Sequence, residues 1–145
     1  MYQNKTIDYF LKITWQSIAN TYNQIASEFD MTQAIGYMLI NIHKEGTSVS
    51  QIASLIGLKS TSLSRVLNHM EELGFIHREV DPHDKRSVKI FLTEEGQQKR
   101  KIAKKVIQSF NDYLSMHIND QDRLQLISML IKINQLTLAY KPKEE

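Results

Sequence analysis

The chain has no cysteine, which excludes disulfides and any thiol-based redox switch. No apolar run reaches the roughly 18 residues that a membrane-crossing helix needs. The first residues do not form a basic stretch followed by an apolar one, so neither a signal peptide nor a membrane span is expected, and the expected location is the cytoplasm. Catalytic signatures are missing as well: there is no Gly-rich phosphate loop, no Gly-x-Ser-x-Gly and no His-Glu-x-x-His. Serine, histidine and aspartate are present, but no spacing fixes their mutual geometry, so neither an enzyme nor a cofactor is expected. An excess of one charge is also lacking. Eighteen Lys and Arg against 16 Asp and Glu leave a net charge of +2, which neither demands nor forbids nucleic acid; the placement of charge must decide.

What remains is an ordinary globular composition, 41% apolar and 23% charged over 145 residues, suited to a single domain spanning 1–145 with its own core. Residues 6–29 contain no Gly or Pro and place Ile7, Leu11, Thr14, Ile18, Tyr22, Ile25 and Phe29 at alternating steps of four and three. That spacing predicts one long helix, and Phe10, Ile13 and Trp15 widen its apolar surface beyond a single seam. Asp30-Met31-Thr32 breaks it, with Thr32 capping a second helix from Gln33 to about Lys44. Ile35, Tyr37, Met38, Leu39, Ile40 and Ile42 make that helix apolar on most sides, which belongs in the centre of a fold; Gly46 is its stop.

The stretch from Lys59 to Leu73 is the most informative. Leu63, Val66, Leu67, Met70 and Leu73 form one helical stripe, leaving Ser60, Thr61, Ser62, Ser64, Arg65 and His69 on the rest of the circumference. Small hydroxyls, an Arg and a His suit a surface that lies close to phosphates and base edges, where carboxylates would be repelled. An ordinary amphipathic surface helix is the plainer reading of this segment alone. Before it, Ser48-Val49-Ser50-Gln51 reads as a capping box that opens a short helix with Val49, Ile52, Ala53 and Ile56 inward. Gly57 stops that helix, and Leu58-Lys59 leaves only a tight turn, so the pair reads as a helix-turn-helix. After Gly74 the period changes to two. Phe75–Val80 and Ser87–Leu92 read as strands around a turn at Asp81-Pro82-His83-Asp84, with Val88, Ile90 and Leu92 on one face. A helix-turn-helix followed by a hairpin is a winged helix-turn-helix.

Gly57-Leu58, Ser64-Arg65, Glu71, Gly74-Phe75-Ile76, the run from Asp84 to Thr93 and the following Glu94-Glu95-Gly96 closely resemble the MarR family of bacterial transcriptional regulators. Asp84-x-Arg86, then Leu92-Thr93 and a Gly, is the most specific part. Lys59 departs from the pattern, which often has a small capping residue there; Ser60 is the alternative cap. The resemblance implies a mainly α fold with a small β-hairpin wing: a winged helix-turn-helix over 32–93, flanked by dimerisation helices over 6–29 and 94–140. It implies a regulator, expected to be a repressor, that binds double-stranded DNA as a homodimer. Ser60, Thr61, Ser62, Ser64, Arg65 and His69 are the candidate DNA contacts on the recognition helix, and Lys85 and Arg86 those on the wing. Asp84 is expected to be structural, bonding turn amides or holding a neighbouring Arg. A two-fold dimer sets two recognition helices about 34 to 36 Å apart and asks for a near-palindromic site.

After the wing, Thr93 with Glu94 and Glu95 marks a helix N-terminus, continuing to about His117 with Ile102, Val106, Phe110 and Tyr113 or Leu114 inward. Lys99, Arg100, Lys101, Lys104 and Lys105 make a basic run, read mainly as a solvated face and secondarily as auxiliary phosphate contact or long-range steering. Asn119 and Asp120 start a last helix whose Leu124, Ile127, Leu130, Ile131, Ile133 and Leu138 give another wide apolar surface. The tail from Lys141 to Glu145 is polar and expected to fray. Two such surfaces, one near each end of the chain, have no shared mate in so small a domain, and intertwining two copies would bury both. A winged-helix protein-interaction module is the alternative reading, and a metal-responsive regulator of the same fold another. His77, Glu79, Asp81 and His83 alternate as ligands would, but a wing tip broken at Pro82 is a poor cage. His43, Glu45 and His117 could meet only through the fold. The family resemblance also implies a small aromatic or anionic effector, for which Trp15, Tyr37, Met38 and His43 are the weak candidates.

Overall fold

The structure, a computed structural model, describes residues 5–56 and 60–144, with the backbone only at Ser60. The predicted stop at Gly57 and the turn at Leu58-Lys59 lie outside the described residues, as does Glu145. Helices α1 (Ile7–Ser27) and α2 (Gln33–Asn41) are followed by a two-residue strand β1 (Thr47–Ser48), then α3 (Val49–Ile56) and α4 (Ser60–Glu72). Strands β2 (Ile76–Val80) and β3 (Val88–Leu92) form the hairpin, and α5 (Glu94–His117) and α6 (Asp120–Ala139) complete the order. The chain divides into two compact units, Met1–Val106 and Ile107–Glu145. Among the described residues no helix is long and apolar enough to cross a membrane.

Local chemistry explains the boundaries. Asp30, at φ 58°, turns the chain out of α1, a left-handed conformation that Asp tolerates better than most residues. The Thr32 hydroxyl accepts from the Ile35 amide at 3.2 Å and starts α2. That helix ends at Asn41 with Ile42 as cap, earlier than the predicted Lys44. Gly46, at φ 90°, instead closes the next turn by donating to the His43 carbonyl. The capping box is reciprocal: the Gln51 amide donates to Ser48 Oγ at 3.2 Å and the Ser48 amide to Gln51 Oε1 at 3.1 Å. Asn119 caps α6 through the Asp122 amide at 2.8 Å.

The sheet has three strands in the order β1-β3-β2, all antiparallel, rather than the two of a bare hairpin. Thr47 pairs with Ile90 and Ser48 with Lys89; a strand of two residues is too short to show a period. The core of the first unit gathers Ile35, Met38 and Leu39 of α2 and its cap Ile42 with Ile52 of α3 and Leu63, Leu67 and Met70 of α4. Phe75, Ile76, Ile90 and Leu92 close it from the hairpin side. The α4 stripe is thus inward as its spacing predicts, with Val66 and Leu73 packed at the margin. Each such fully buried side chain contributes about 1.5 to 3 kcal/mol.

The basic run at the start of α5 is only partly a solvated face. Lys99 Nζ donates to the Phe29 carbonyl at 2.7 Å and Arg100 Nη1 to the Ile42 carbonyl at 3.1 Å. These two cations therefore tie α5 to the ends of the first two helices, and Lys101, Lys104 and Lys105 remain exposed. Tyr113, offered with Leu114 as an inward residue, is 57% exposed.

The joint between hairpin and α5 is close. Thr93 Oγ1 donates to the Gly74 carbonyl at 2.6 Å and accepts from the Gly96 amide at 3.1 Å, while the Thr93 amide donates to the Phe75 carbonyl at 3.0 Å. A Cβ on Gly96 would stand 1.9 Å from that same Phe75 carbonyl oxygen. Gly96→Ala must force the two backbones apart, and we expect a loss of about 3 kcal/mol in urea denaturation, at the upper end for overpacking. Thr93→Val, which keeps the shape but strands two polar groups, should cost about 1 to 2 kcal/mol. A Gly96→Ala protein as stable as the parent would refute this account of the joint.

Candidate nucleic-acid interface

The outward side of α4 is open. Thr61, Ser62, Ser64, Arg65 and His69 are all exposed; Ser60 is on the helix, and its side chain lies outside the description. Arg65 makes no hydrogen bond or ion pair with another described residue, and His69 meets only Glu72, at 3.9 Å. The inward stripe holds the helix in the core, so these side chains project from a fixed rod.

The wing is a short ladder closed by its own aspartates. The Asp81 amide donates to the Ser87 carbonyl at 2.9 Å and the Ser87 amide to the Asp84 carbonyl at 2.9 Å. Side chains add to this: Asp81 Oδ1 accepts from the His83 amide at 2.9 Å and Asp84 Oδ1 from the Arg86 amide at 3.0 Å. Both carboxylates thus engage turn amides. Lys85 and Arg86 are exposed beside them.

Helix α4 and the wing share a cleft of about 560 Å³. Ser64 of α4 and Arg86 of the wing border it together with Ser48 and Ser50 at the start of α3; Leu63, Ala53 and Val88 make its apolar floor. The fold therefore brings two of the sequence candidates to one opening. It adds Ser48 and Ser50, which the sequence had offered only as a capping segment.

A brace also joins the two elements. Arg78 on β2 places Nε 3.1 Å from Glu71 Oε2 and donates from Nη2 to Asn68 Oδ1 at 2.6 Å, both partners on α4. The sequence alone offered no sign of this beyond Glu71 as part of the motif, because helix and strand periods do not report which side chains meet. His77, next to it, stacks on Phe91 with ring centroids 5.4 Å apart and planes 10° from parallel, and contacts Glu79 at 3.1 Å. Among the described residues no three His, Asp or Glu side chains gather as a ligand set.

A second cleft, of about 490 Å³, is lined by Trp15, Gln33, Ala34, Tyr37, Asn41, Leu55 and Ile56. Trp15 packs edge-on against Tyr37 at 6.0 Å, and Tyr37 against Tyr22 at 6.4 Å. Burial raises the phenol pKa of Tyr37 above its usual 10.0, and burial followed by the neighbouring Tyr37 raises that of Tyr22. Both rings are therefore neutral at physiological pH. The other two effector candidates do not reach this cleft. Met38 faces the core and has no exposed surface, because the next residue along a helix points about 100° away from Tyr37. His43 lies beyond the end of α2 and outside the lining.

With this geometry in place, the comparisons are specific. The MarR family model matches residues 29–87, from the end of α1 through the wing tip. Over that stretch the chain resembles the MarR family. Its fold is similar to that of the transcriptional regulator SlyA, at 22% identity over 92% of this chain and 94% of that one, with a TM-score of 0.84. The S. aureus MepR–DNA complex is similar at 21% identity, covering 90% and 97%, with a TM-score of 0.83. A mutant MarR from E. coli complexed with operator DNA follows at 20% identity, 88% and 92%, and a TM-score of 0.79. At these identities the likeness establishes the winged fold.

The brace can be measured without DNA. A double-mutant cycle on Arg78→Ala and Glu71→Ala should give a coupling of about 0.5 to 1 kcal/mol in urea denaturation, near the top of the range for partly exposed pairs because Asn68 holds the guanidinium in place. Additive single and double variants would mean that the brace contributes nothing.

Proposed function

We propose that this protein is a DNA-binding transcriptional regulator of the MarR family that acts as a repressor. It binds a near-palindromic operator as a homodimer and is released by a small aromatic or anionic molecule. The observation that carries this reading is the shared opening of α4 and the wing. Ser64 and Arg86 border one cleft, with Arg65 and the other exposed donors of α4 on the same outward helix. MepR and MarR, both similar in fold, were solved with DNA. In this reading α4 enters the major groove, where hydroxyls and Arg65 meet base edges and phosphates. The wing then sets Arg86 over the flanking minor groove, whose negative potential attracts a guanidinium with little need for base-specific bonds.

Uncovered apolar helix faces support the homodimer. Helix α6 has no buried residue, yet Leu124, Leu126, Ile127, Met129, Leu130, Ile131, Leu136 and Leu138 are exposed along it. At 100° per residue these positions fall on every side of the helix, and a helix apolar all round belongs in an interior. One neighbour covers one face only; threading between helices of a second copy covers them all. In the other unit α1 also exposes apolar side chains, Ile7, Phe10, Leu11, Ile13 and Trp15. The aromatic cleft at Trp15 and Tyr37 falls within the usual size of small-molecule sites and is the effector site in this reading.

Light scattering at micromolar concentration should give twice the chain mass of 16.9 kDa; a stable folded monomer would exclude the dimer. For DNA, we expect Arg65→Ala to weaken binding to a duplex selected from a random pool by about 1 to 3 kcal/mol and to spare random duplex. Arg86→Ala should weaken both and lower the salt slope by about one released cation. Asp84→Ala should lose affinity although it removes a negative charge, because the Arg86 amide loses its acceptor. Unchanged binding for both Arg65→Ala and Arg86→Ala would instead favour a protein-interaction module.

A further inference from the structure

A third cleft, of about 250 Å³, opens at the foot of the wing and is lined by Lys44, Leu92, Gln97, Arg100, Lys101 and Lys104. Four of these six side chains are cations, and the described lining holds no carboxylate. Gln97, Arg100, Lys101 and Lys104 recur at i, i+3, i+4 and i+7, so one face of α5 presents them together. Lys44 comes from the turn before β1, and Leu92, the last residue of β3, is the apolar wall. Among the described residues none of the four cations makes an ion pair. Arg100 uses Nη1 on the Ile42 carbonyl, while its Nε is buried without a partner. A buried guanidinium N–H with no acceptor is costly, and like charges gathered around one cleft repel.

We infer that this cleft is a binding site for a compact, multiply charged anion of the phosphate class, either free phosphate or a small phosphomonoester. A dianion neutralises the Arg100 guanidinium and the three lysines gathered around the cleft. A monocarboxylate leaves most of that charge uncompensated. The site is separate from the proposed DNA face. Val88 begins β3 at the wing tip and Leu92 ends it at the foot, about 13 Å apart at the usual rise per residue. In the antiparallel register of β1 on β3, Lys44 falls at the Leu92 end as well. The inference does not depend on what the α4 face binds.

Inorganic phosphate, titrated into the full-length protein at constant ionic strength made up with chloride, should raise the melting temperature saturably, and acetate should not. Lys101→Gln/Lys104→Gln, both exposed positions, should fold normally and weaken phosphate binding at least tenfold by calorimetry. Lys105→Gln, a neighbouring lysine outside the cleft, should leave it unchanged. Glycerol phosphate run beside inorganic phosphate assigns the source: tighter binding of the ester supports a phosphomonoester with its body on Leu92, and equal binding supports the free ion. If phosphate acts no differently from chloride, or if Lys105→Gln loses as much as the double variant, the site does not exist. A double variant that lowers the salt slope of DNA binding while phosphate has no effect would likewise overturn the inference, since the lysines would then serve the nucleic-acid backbone.

Discussion

The hydroxyl of Thr93 is the point on which the first unit turns. It donates to Gly74, two residues past the end of α4, and accepts from Gly96, in the first turn of α5. The Phe75 carbonyl fills the space where any side chain at Gly96 would lie. Three elements therefore meet within one residue's reach: the end of α4, the foot of the wing and the start of α5. None can rotate without breaking a bond to the others or driving the Phe75 carbonyl into α5. This gives a physical reason for a Gly-Phe pair, a Leu-Thr pair and a following Gly to occur together.

From that joint outward the interactions become more exposed and individually weaker. The core of α2, α3, α4 and the sheet supplies most of the stability through burial. The Arg78 brace to Glu71 and Asn68 and the amide bonds to Asp81 and Asp84 contribute less energy. Their effect is orientational, because they fix the wing relative to α4 and hold the turn in one shape. Three acids near the candidate interface are thus committed to internal partners: Glu71 to Arg78, Asp81 and Asp84 to turn amides. Arg65, Lys85 and Arg86 stay exposed. A chain with a net charge of only +2 obtains a cationic face by placement rather than by composition.

The same contrast separates the two parts of the basic run on α5. Lys99 and Arg100 satisfy carbonyls at helix ends, where cations favour the partial negative charge of the dipole, and Lys99 also lies 5.7 Å from the centre of the Phe75 ring. Lys101 and Lys104, one turn apart, have no such carbonyls and face a cleft with Lys44. A run that reads in one dimension as a uniform charged face is divided by the fold into tethers and open donors.

Local codes determined much of this protein directly. The helices, their Thr32, Asn119 and Ser48–Gln51 caps, the inward stripe of α4 and the alternation of β3 are set by residues within one or two turns of each other, so the sequence exposes them. The motif from Gly57 to Gly96 carried the resemblance to the MarR family for the same reason. Tertiary structure decided what depends on residues distant in the chain. Examples are the third strand at Thr47, the brace from Arg78 to α4, the burial of Met38 away from the cleft that Trp15 and Tyr37 share, and the commitment of Lys99 and Arg100 to carbonyls 70 and 58 residues away. Periodicity states which face of an element is apolar. It does not state which other element lies against that face, and a long cationic side chain can reach a carbonyl or the solvent with equal ease until the fold supplies one of them.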